Sequence, residues 1–314
     1  MENREKQPVL KVEHLSISFE RYDRGMKRRE LELVHDLSLT VSAGEIVAVA
    51  GASGSGKSLL AHGILGILPG NARMSGTMKF CGQRLDASLQ KKLRGREISF
   101  IPQSVEYLDP LMKVGKQVAG VCSHKEKRKI QEKMYQVFER YRLNPETADR
   151  YPHQLSGGMA RRVLIAGAVM HRARLIVADE PTPGLQEELA RETFQNFREL
   201  AEEGCGILLI THDIDLALQA ADRVAMFYAG TILEIAPAGD FRKQGALRHP
   251  YSQAFLRAMP RNEFEPIEGT QPYAGNLPKG CLFRDRCPNW DEDCKGSVEM
   301  RSWRGGEVRC IHAK

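Results

Sequence analysis

Residues 51–58 read Gly-Ala-Ser-Gly-Ser-Gly-Lys-Ser, directly after the run EIVAVAG at 45–51 and directly before LLAHGILGIL, which has helical length and spacing. This is GxxxxGK[ST] in the context that gives the pattern meaning, a buried strand feeding a helix. Glycines let the backbone wrap a chain of phosphates with its N–H groups pointing inward, and the helix N-terminus adds partial positive charge. Gly51, Ser53, Gly54 and Gly56 are read as that cradle, Lys57 as the cation reaching the outer phosphates, and Ser58 as a ligand for Mg²⁺. A Gly-rich turn without a ligand is the blander alternative, and the strand and helix on either side argue against it.

The rest of the chain repeats the same strand and helix logic. VLKVEHLSISF (9–19) and LELVHDLSLTV (31–41) partly alternate, as half-buried strands do. LIVAD (175–179) and GILLITHD (206–213) are continuously apolar like 45–51, with the helical ETFQNFRELAEE between them. Strands buried on both faces and separated by helices predict a parallel, doubly wound sheet. Between about 98 and 170 helix outweighs strand, and KEKRKIQEKMYQVFERY predicts an exposed amphipathic helix there. The basic stretch RYDRGMKRRE (21–30) reads as a solvated hairpin loop, with a membrane-facing patch as the alternative.

Two further patterns carry chemistry once the loop at 51–58 is granted. Asp179 closes a buried strand and Glu180 follows at once, which places Asp179 to hold Mg²⁺ through water and Glu180 to polarise an attacking water. Alone, such a pair is usually a solvated strand end. Ser156-Gly157-Gly158 opens the helix GMARRVLIAGAVM, where Ser156 is a good N-cap and the glycines expose N–H groups to an anion. With its own loop already occupied, the chain would take that anion from a second molecule.

These motifs, with Gln103 after the strand SFIP and with Thr211-His212-Asp213, stand in the order and approximate spacing of ABC-transporter ATPases, and the resemblance covers the whole chain. It implies a P-loop NTPase with a RecA-like α/β core, an antiparallel β subdomain, a helical subdomain at about 98–165 and a Cys-rich C-terminal extension. The implied domains are 8–240 for the ATPase and 241–314 for the extension. Gln103 resembles the glutamine that touches Mg²⁺ and senses the membrane domain, and His212 the histidine that hydrogen-bonds the γ-phosphate. Phe19 stands where the family places an aromatic ring on adenine, with Tyr22 as its rival. Ser156, Gly157 and Gly158 resemble the signature that closes over ATP held by the opposite cassette. The forms YPHQLSGGM, YLDP (107–110), HPYSQAFLRAMP (249–260) and GCLFRDRCP (280–288) resemble the oligopeptide/dipeptide/nickel uptake subfamily. That likeness implies Mg-ATP hydrolysis driving uptake of peptides, nickel or metal chelates. Implied partners are a sister ATPase, two transmembrane permease subunits and an extracytoplasmic binding protein, with no nucleic acid. One position departs: Gln186 stands where the family has the D-loop aspartate, which predicts a heterodimer with unequal sites or keeps open a cassette whose partner hydrolyses ATP. The other alternative, a soluble ABC ATPase of DNA repair or translation, would need a long coiled-coil insertion or a second P-loop. Only 52 residues separate Gln103 from Ser156.

A net charge of +6 is too mild to imply nucleic acid. The polar start MENREKQPVL does not read as a secretory signal, and no apolar run approaches the length of a membrane span, so the expected place is the cytoplasmic face of the membrane. In that reducing setting Cys81, Cys122 and Cys205 read as buried small residues. Cys281, Cys287, Cys294 and Cys310 form a C-x5-C-x6-C-x15-C set in a segment with little apolar content of its own. A metal centre would supply the missing folding energy. The spacing lacks the close C-x2-4-C pairs of usual zinc sites, and the resembling subfamily segment is associated with a [4Fe-4S] cluster. That cluster is the first expectation, zinc the second, and free thiols or disulfides the last.

Overall fold

A computed structural model describes residues 7–23, 27–52, 54–120 and 127–313. The chain opens with two long strands, β1 (Pro8–Asp23) and β2 (Lys27–Ser42), followed by β3 (Ile46–Ala50), α1 (Lys57–Leu65), β4 (Ala72–Phe80), β5 (Gln83–Arg84) and α2 (Ala87–Leu93). Then come β6 (Ile98–Ile101), α3 (Val114–Ala119), α4 (Lys127–Arg140), α5 (Gly157–Met170), β7 (Leu175–Asp179), α6 (Glu187–Glu202), β8 (Gly206–Thr211) and α7 (Ile214–Ala220). β9 (Arg223–Tyr228), β10 (Thr231–Pro237), α8 (Pro250–Arg257), β11 (Arg301–Trp303) and β12 (Gly306–Val308) complete it.

Two sheets result. One is antiparallel in the order β2-β1-β4-β5; the other runs β11-β12-β10-β9-β3-β8-β7-β6. From β9 to β6 the second sheet is parallel, and β10, β12 and β11 add to its edge antiparallel. The continuously apolar strands follow from having a core on each face. In β3, Ile46, Ala48 and Ala50 face the core shared with the helices, while Val47 and Val49 face the core shared with the antiparallel sheet. In β8, Ile207 and Leu209 divide from Leu208 and Ile210 in the same way. Amphipathic α4 buries Met134 and Phe138, one turn apart, against the helical side.

Two boundaries differ from the sequence reading. Residues 98–101, taken as the start of a helical subdomain, form β6 and pair in parallel with Leu175–Ala178, because Ile98 and Ile101 are buried in opposite cores. The helical part therefore begins beyond β6, and α5 carries it to Met170. The basic stretch at 21–30 is mostly ladder, since Glu20 pairs with Glu30 and Arg21 with Arg29.

The C-terminal segment is tied to the parallel sheet by more than β12. Arg248 and Glu234, 4% and 0% exposed, form an ion pair at 3.2 Å. Glu234 also accepts from the backbone N–H groups of Arg248 (2.8 Å) and His249 (2.9 Å). The guanidinium goes on to donate to Asp240 at 2.8 Å and to the Trp303 and Arg304 carbonyls at 2.7 and 2.5 Å. Each buried charge thus has several partners, the condition under which such groups are tolerated.

Candidate functional site

β3 ends at the sheet's carboxyl edge and α1 begins seven residues later, so the loop between them wraps the α1 N-terminus. Gly51 can only be glycine, because a Cβ there would lie 2.3 Å from the Phe227 carbonyl oxygen. Gly54 (φ 72°) and Gly56 (φ 101°) take the left-handed conformations that turn the loop back on itself. No side chain caps α1, which leaves its N-terminus open to a phosphate. Lys57, 5% exposed, donates to the carbonyls of Gly51 (2.9 Å) and Ala52 (2.8 Å). Burial holds its ammonium below the usual lysine range, and Glu180 and Asp179 oppose that shift. Ser53 lies outside the described residues.

The carboxylates come from the neighbouring strand. Asp179 ends β7 and is 2% exposed. Burial raises its pKa and Glu180 adds to the rise, while a hydrogen bond with Ser58 and the charges of His62 and Lys57 oppose it. Its Oδ1 is buried without a hydrogen-bond partner. A buried, unpartnered carboxylate oxygen beside a serine hydroxyl at a phosphate-binding loop fits a hydrated Mg²⁺. Glu180 adopts a left-handed φ of 46°, fixed by its N–H donating to the Ile210 carbonyl at 2.9 Å. That turn aims its carboxylate at His212, whose Nδ1 lies 2.8 Å from Oε1, and Thr211 Oγ1 donates to Oε2 at 3.4 Å. Strain of this kind in a non-glycine residue concentrates at functional sites.

Lys57, Ser58, Asp179, Glu180 and His212 therefore meet at one edge of the parallel sheet. Gln103 has an exposed side chain just after β6, and its carbonyl accepts from Arg161. Arg161 also donates to the Pro102 carbonyl at 2.6 Å. This buried α5 arginine, which sequence reasoning passed over, feels the charges of Asp179 and Glu180 and fastens the Gln103 segment to the helix that Ser156 opens. The signal for it was position alone, two residues after LSGGM. Ser156 caps α5 by accepting from Met159 N–H at 3.3 Å. Nothing would obstruct a Cβ on Gly157, and one on Gly158 would meet the Gly184 carbonyl at 3.4 Å. Ser156 and Gly157 are exposed and Gly158 is half-buried. Gln186 precedes α6 with an exposed side chain that makes no capping bond. Phe19 is half-buried, paired with Leu31 and Ala72 and packed against the core between the sheets. The side chain of its rival, Tyr22, lies outside the described residues.

The four C-terminal cysteines meet as well. Cys281, Cys287, Cys294 and Cys310 are free thiols lining one cavity with His249, Pro250, Arg284 and His312. Burial pushes the Cys281 thiol up to about 11, and the other three cysteines add to the rise. Four thiolates could coexist there only around a cation, so the donor set fits a thiolate-bound metal centre. Sequence reading missed Asp291 and His312, whose ligand atoms lie within 4.8 Å of each other and of Cys294 Sγ. Cys205 is buried and Cys81 half-buried, apart from this group, and Cys122 lies outside the described residues.

A P-loop and a carboxylate-ended strand in this sheet order, with a helical side bearing an open Ser-Gly-Gly helix start, define an ABC ATPase cassette. Residues 34–183 match the ABC transporter family and 233–294 the oligopeptide/dipeptide transporter C-terminal region. The oligopeptide transport ATP-binding protein OppD of Escherichia coli (strain K12) is 35% identical over 96% of this chain and 92% of its own length. The dipeptide transport ATP-binding protein DppD of Haemophilus influenzae is 33% identical, over 91% and 90%. Among solved structures, the dimeric ATP-binding cassette MJ0796 bound to ADP and Pi superposes with a TM-score of 0.62 at 25% identity, over 73% of this chain and 98% of that one. CbiO1 of Clostridium perfringens, part of an ABC transporter complex, gives 0.60 over 77% and 93%. The chain belongs to the oligopeptide/dipeptide transport ATP-binding proteins, ABC ATPases that couple ATP hydrolysis to transport. Among the described residues no helix is long and apolar enough to cross a membrane.

Proposed function

We propose that this chain is the ATP-hydrolysing subunit of a peptide importer, working on the cytoplasmic face of the membrane with two permease subunits, a sister cassette and an extracytoplasmic binding protein. The observation that carries the reading is the Glu180 carboxylate held by His212 at 2.8 Å beside the buried Lys57 and Asp179. Lys57, Gly51, Ser53, Gly54, Gly56 and Ser58 hold the phosphates of ATP, and Phe19 gives the adenine an aromatic surface. Ser58, Asp179 and Gln103 hold Mg²⁺, which when bound neutralises charge on the outer phosphates. Glu180 orients and deprotonates the attacking water, and His212 fixes Glu180 and meets the γ-phosphate. Ser156, Gly157 and Gly158 reach ATP on the sister cassette, a reading supported by the exposure of Ser156 and Gly157 and the open space around Gly157. Residues 8–240 form the ATPase domain and 241–314 the extension.

Gln186 favours unequal sites, because a glutamine at that helix start makes no capping bond and its side chain is free to face a partner. Purification from native membranes should therefore yield a second, different cassette with two permeases. Inactivating the catalytic glutamate of each cassette in turn should then lower turnover unequally. A complex carrying two copies of this chain, or equal losses, contradicts the heterodimer.

Cys281, Cys287, Cys294 and Cys310 hold a [4Fe-4S] cluster that stabilises the extension, since ATP hydrolysis moves no electron. A single zinc on Asp291, Cys294 and His312 is the competing arrangement. Anaerobic purification should give a brown protein with about four irons per chain. Cys287→Ser should lose the iron, and His312→Ala should keep it. A colourless preparation with one zinc, lost in His312→Ala, overturns the cluster.

A further inference from the structure

The cysteine cavity and the P-loop are joined by one short helix start. His249, which lines the cavity, caps α8 by accepting the Tyr251 N–H at 3.0 Å. Two residues on, Tyr251 turns the other way. Its ring is 2% exposed and its hydroxyl donates to the Phe227 carbonyl at 3.4 Å. That carbonyl is the one against which Gly51 packs, and the backbone of Ala52 lies near enough to the phenol to oppose the rise that burial gives its pKa. Tyr251 therefore reaches the start of the P-loop through the Phe227 carbonyl on which Gly51 packs, and lies beside the backbone of Ala52.

On its other side Tyr251 belongs to an aromatic cluster. Its ring centroid lies 4.7 Å from that of Tyr228 and 5.4 Å from that of Phe283, and Phe283 lies 5.9 Å from His249. Phe283 is fully buried two residues from Cys281, and its backbone lies near enough to the Cys281 thiol to oppose the rise of its pKa. A displacement of Cys281 thus moves Phe283, and a close-packed ring cluster passes that displacement on rather than absorbing it.

We propose that Tyr251 is a positioning residue for the P-loop and that Phe283 relays the state of the cysteine-lined cavity to it. The nucleotide site and the C-terminal module are then energetically coupled, and the coupling is reciprocal. The relay consists of protein atoms, so its failure leaves the metal assignment of the cysteines untouched.

The test uses the full chain and Mg-ATP as probe. Tyr251→Phe keeps the ring and removes only the hydroxyl. Calorimetry should show ATP binding about fivefold weaker, the change expected for one hydrogen bond, and the assembled transporter should show the same rise in KM with kcat nearly unchanged. Phe283→Leu, or Phe283→Met if the leucine variant does not fold, should weaken ATP binding in the parent chain and add nothing in Tyr251→Phe. Unchanged affinity in folded Tyr251→Phe overturns the positioning role. Fully additive effects of the two substitutions overturn the relay.

Discussion

Replacing Glu180 by glutamine is expected to lower steady-state ATP hydrolysis by about 10²–10⁴-fold, the contribution of a positioned general base. The amide has the shape of the carboxylate and can still pair with His212, so the left-handed turn at 180 and the P-loop should survive. ATP should remain bound, now holding the two cassettes closed. Lys57→Ala acts on a different step. It removes the buried ammonium that sits between the P-loop carbonyls and the two carboxylates, so nucleotide affinity itself should fall. Nucleotide binding and phosphate release, measured on both variants, separate the two losses. Near-normal turnover in Glu180→Gln would remove that residue from the chemistry.

Much of this site was legible because its geometry is local. Gly51 to Ser58 needs only a strand before it and a helix after it, and Asp179 and Glu180 need only the end of a strand. Ser156 as an N-cap is equally local, and the Met159 N–H bond is the one its position predicts. What sequence could not place depends on contacts between distant segments. Arg161 gains its meaning from the carbonyls of Pro102 and Gln103, nearly sixty residues away, and in sequence it is one more arginine on a helix. Residues 98–101 read as a strand before Gln103 yet fall inside the approximate bounds of the helical region, because a bound drawn from the balance of helix and strand does not separate one short strand from the helices after it. β11 and β12 are three residues each, and Arg301 to Trp303 are exposed, so no alternation announces them. The four cysteines drew attention by spacing, whereas Asp291 and His312 entered only when the chain folded them beside Cys294.

The same distinction explains why Glu234 was overlooked. A single carboxylate in the run TILEIAP reads as one polar position on an apolar strand, yet it is completely buried and partnered by a residue fourteen positions later. Removing that partner should be costly. Arg248→Ala leaves Glu234 buried with its ion pair gone and removes the guanidinium bonds to the Trp303 and Arg304 carbonyls, and breaking a buried pair in this way destabilises by about 3–5 kcal/mol. The loss should fall first on the C-terminal module, because the guanidinium is what joins β10, the turn before α8 and the segment between β11 and β12. Limited proteolysis should therefore cut within 260–313 at denaturant concentrations where residues 8–230 remain protected. The double variant Glu234→Gln with Arg248→Met removes both charges of the pair while an amide oxygen still accepts from the Arg248 or the His249 backbone N–H, and it should recover part of the lost stability, since no buried charge is left without its partner at position 234. If Arg248→Ala unfolds at the parent's urea midpoint and resists the protease equally, the charge cluster does not hold the module in place. If the double variant is no better than Arg248→Ala, the guanidinium acts through its bonds to the carbonyls rather than through its pairing with Glu234.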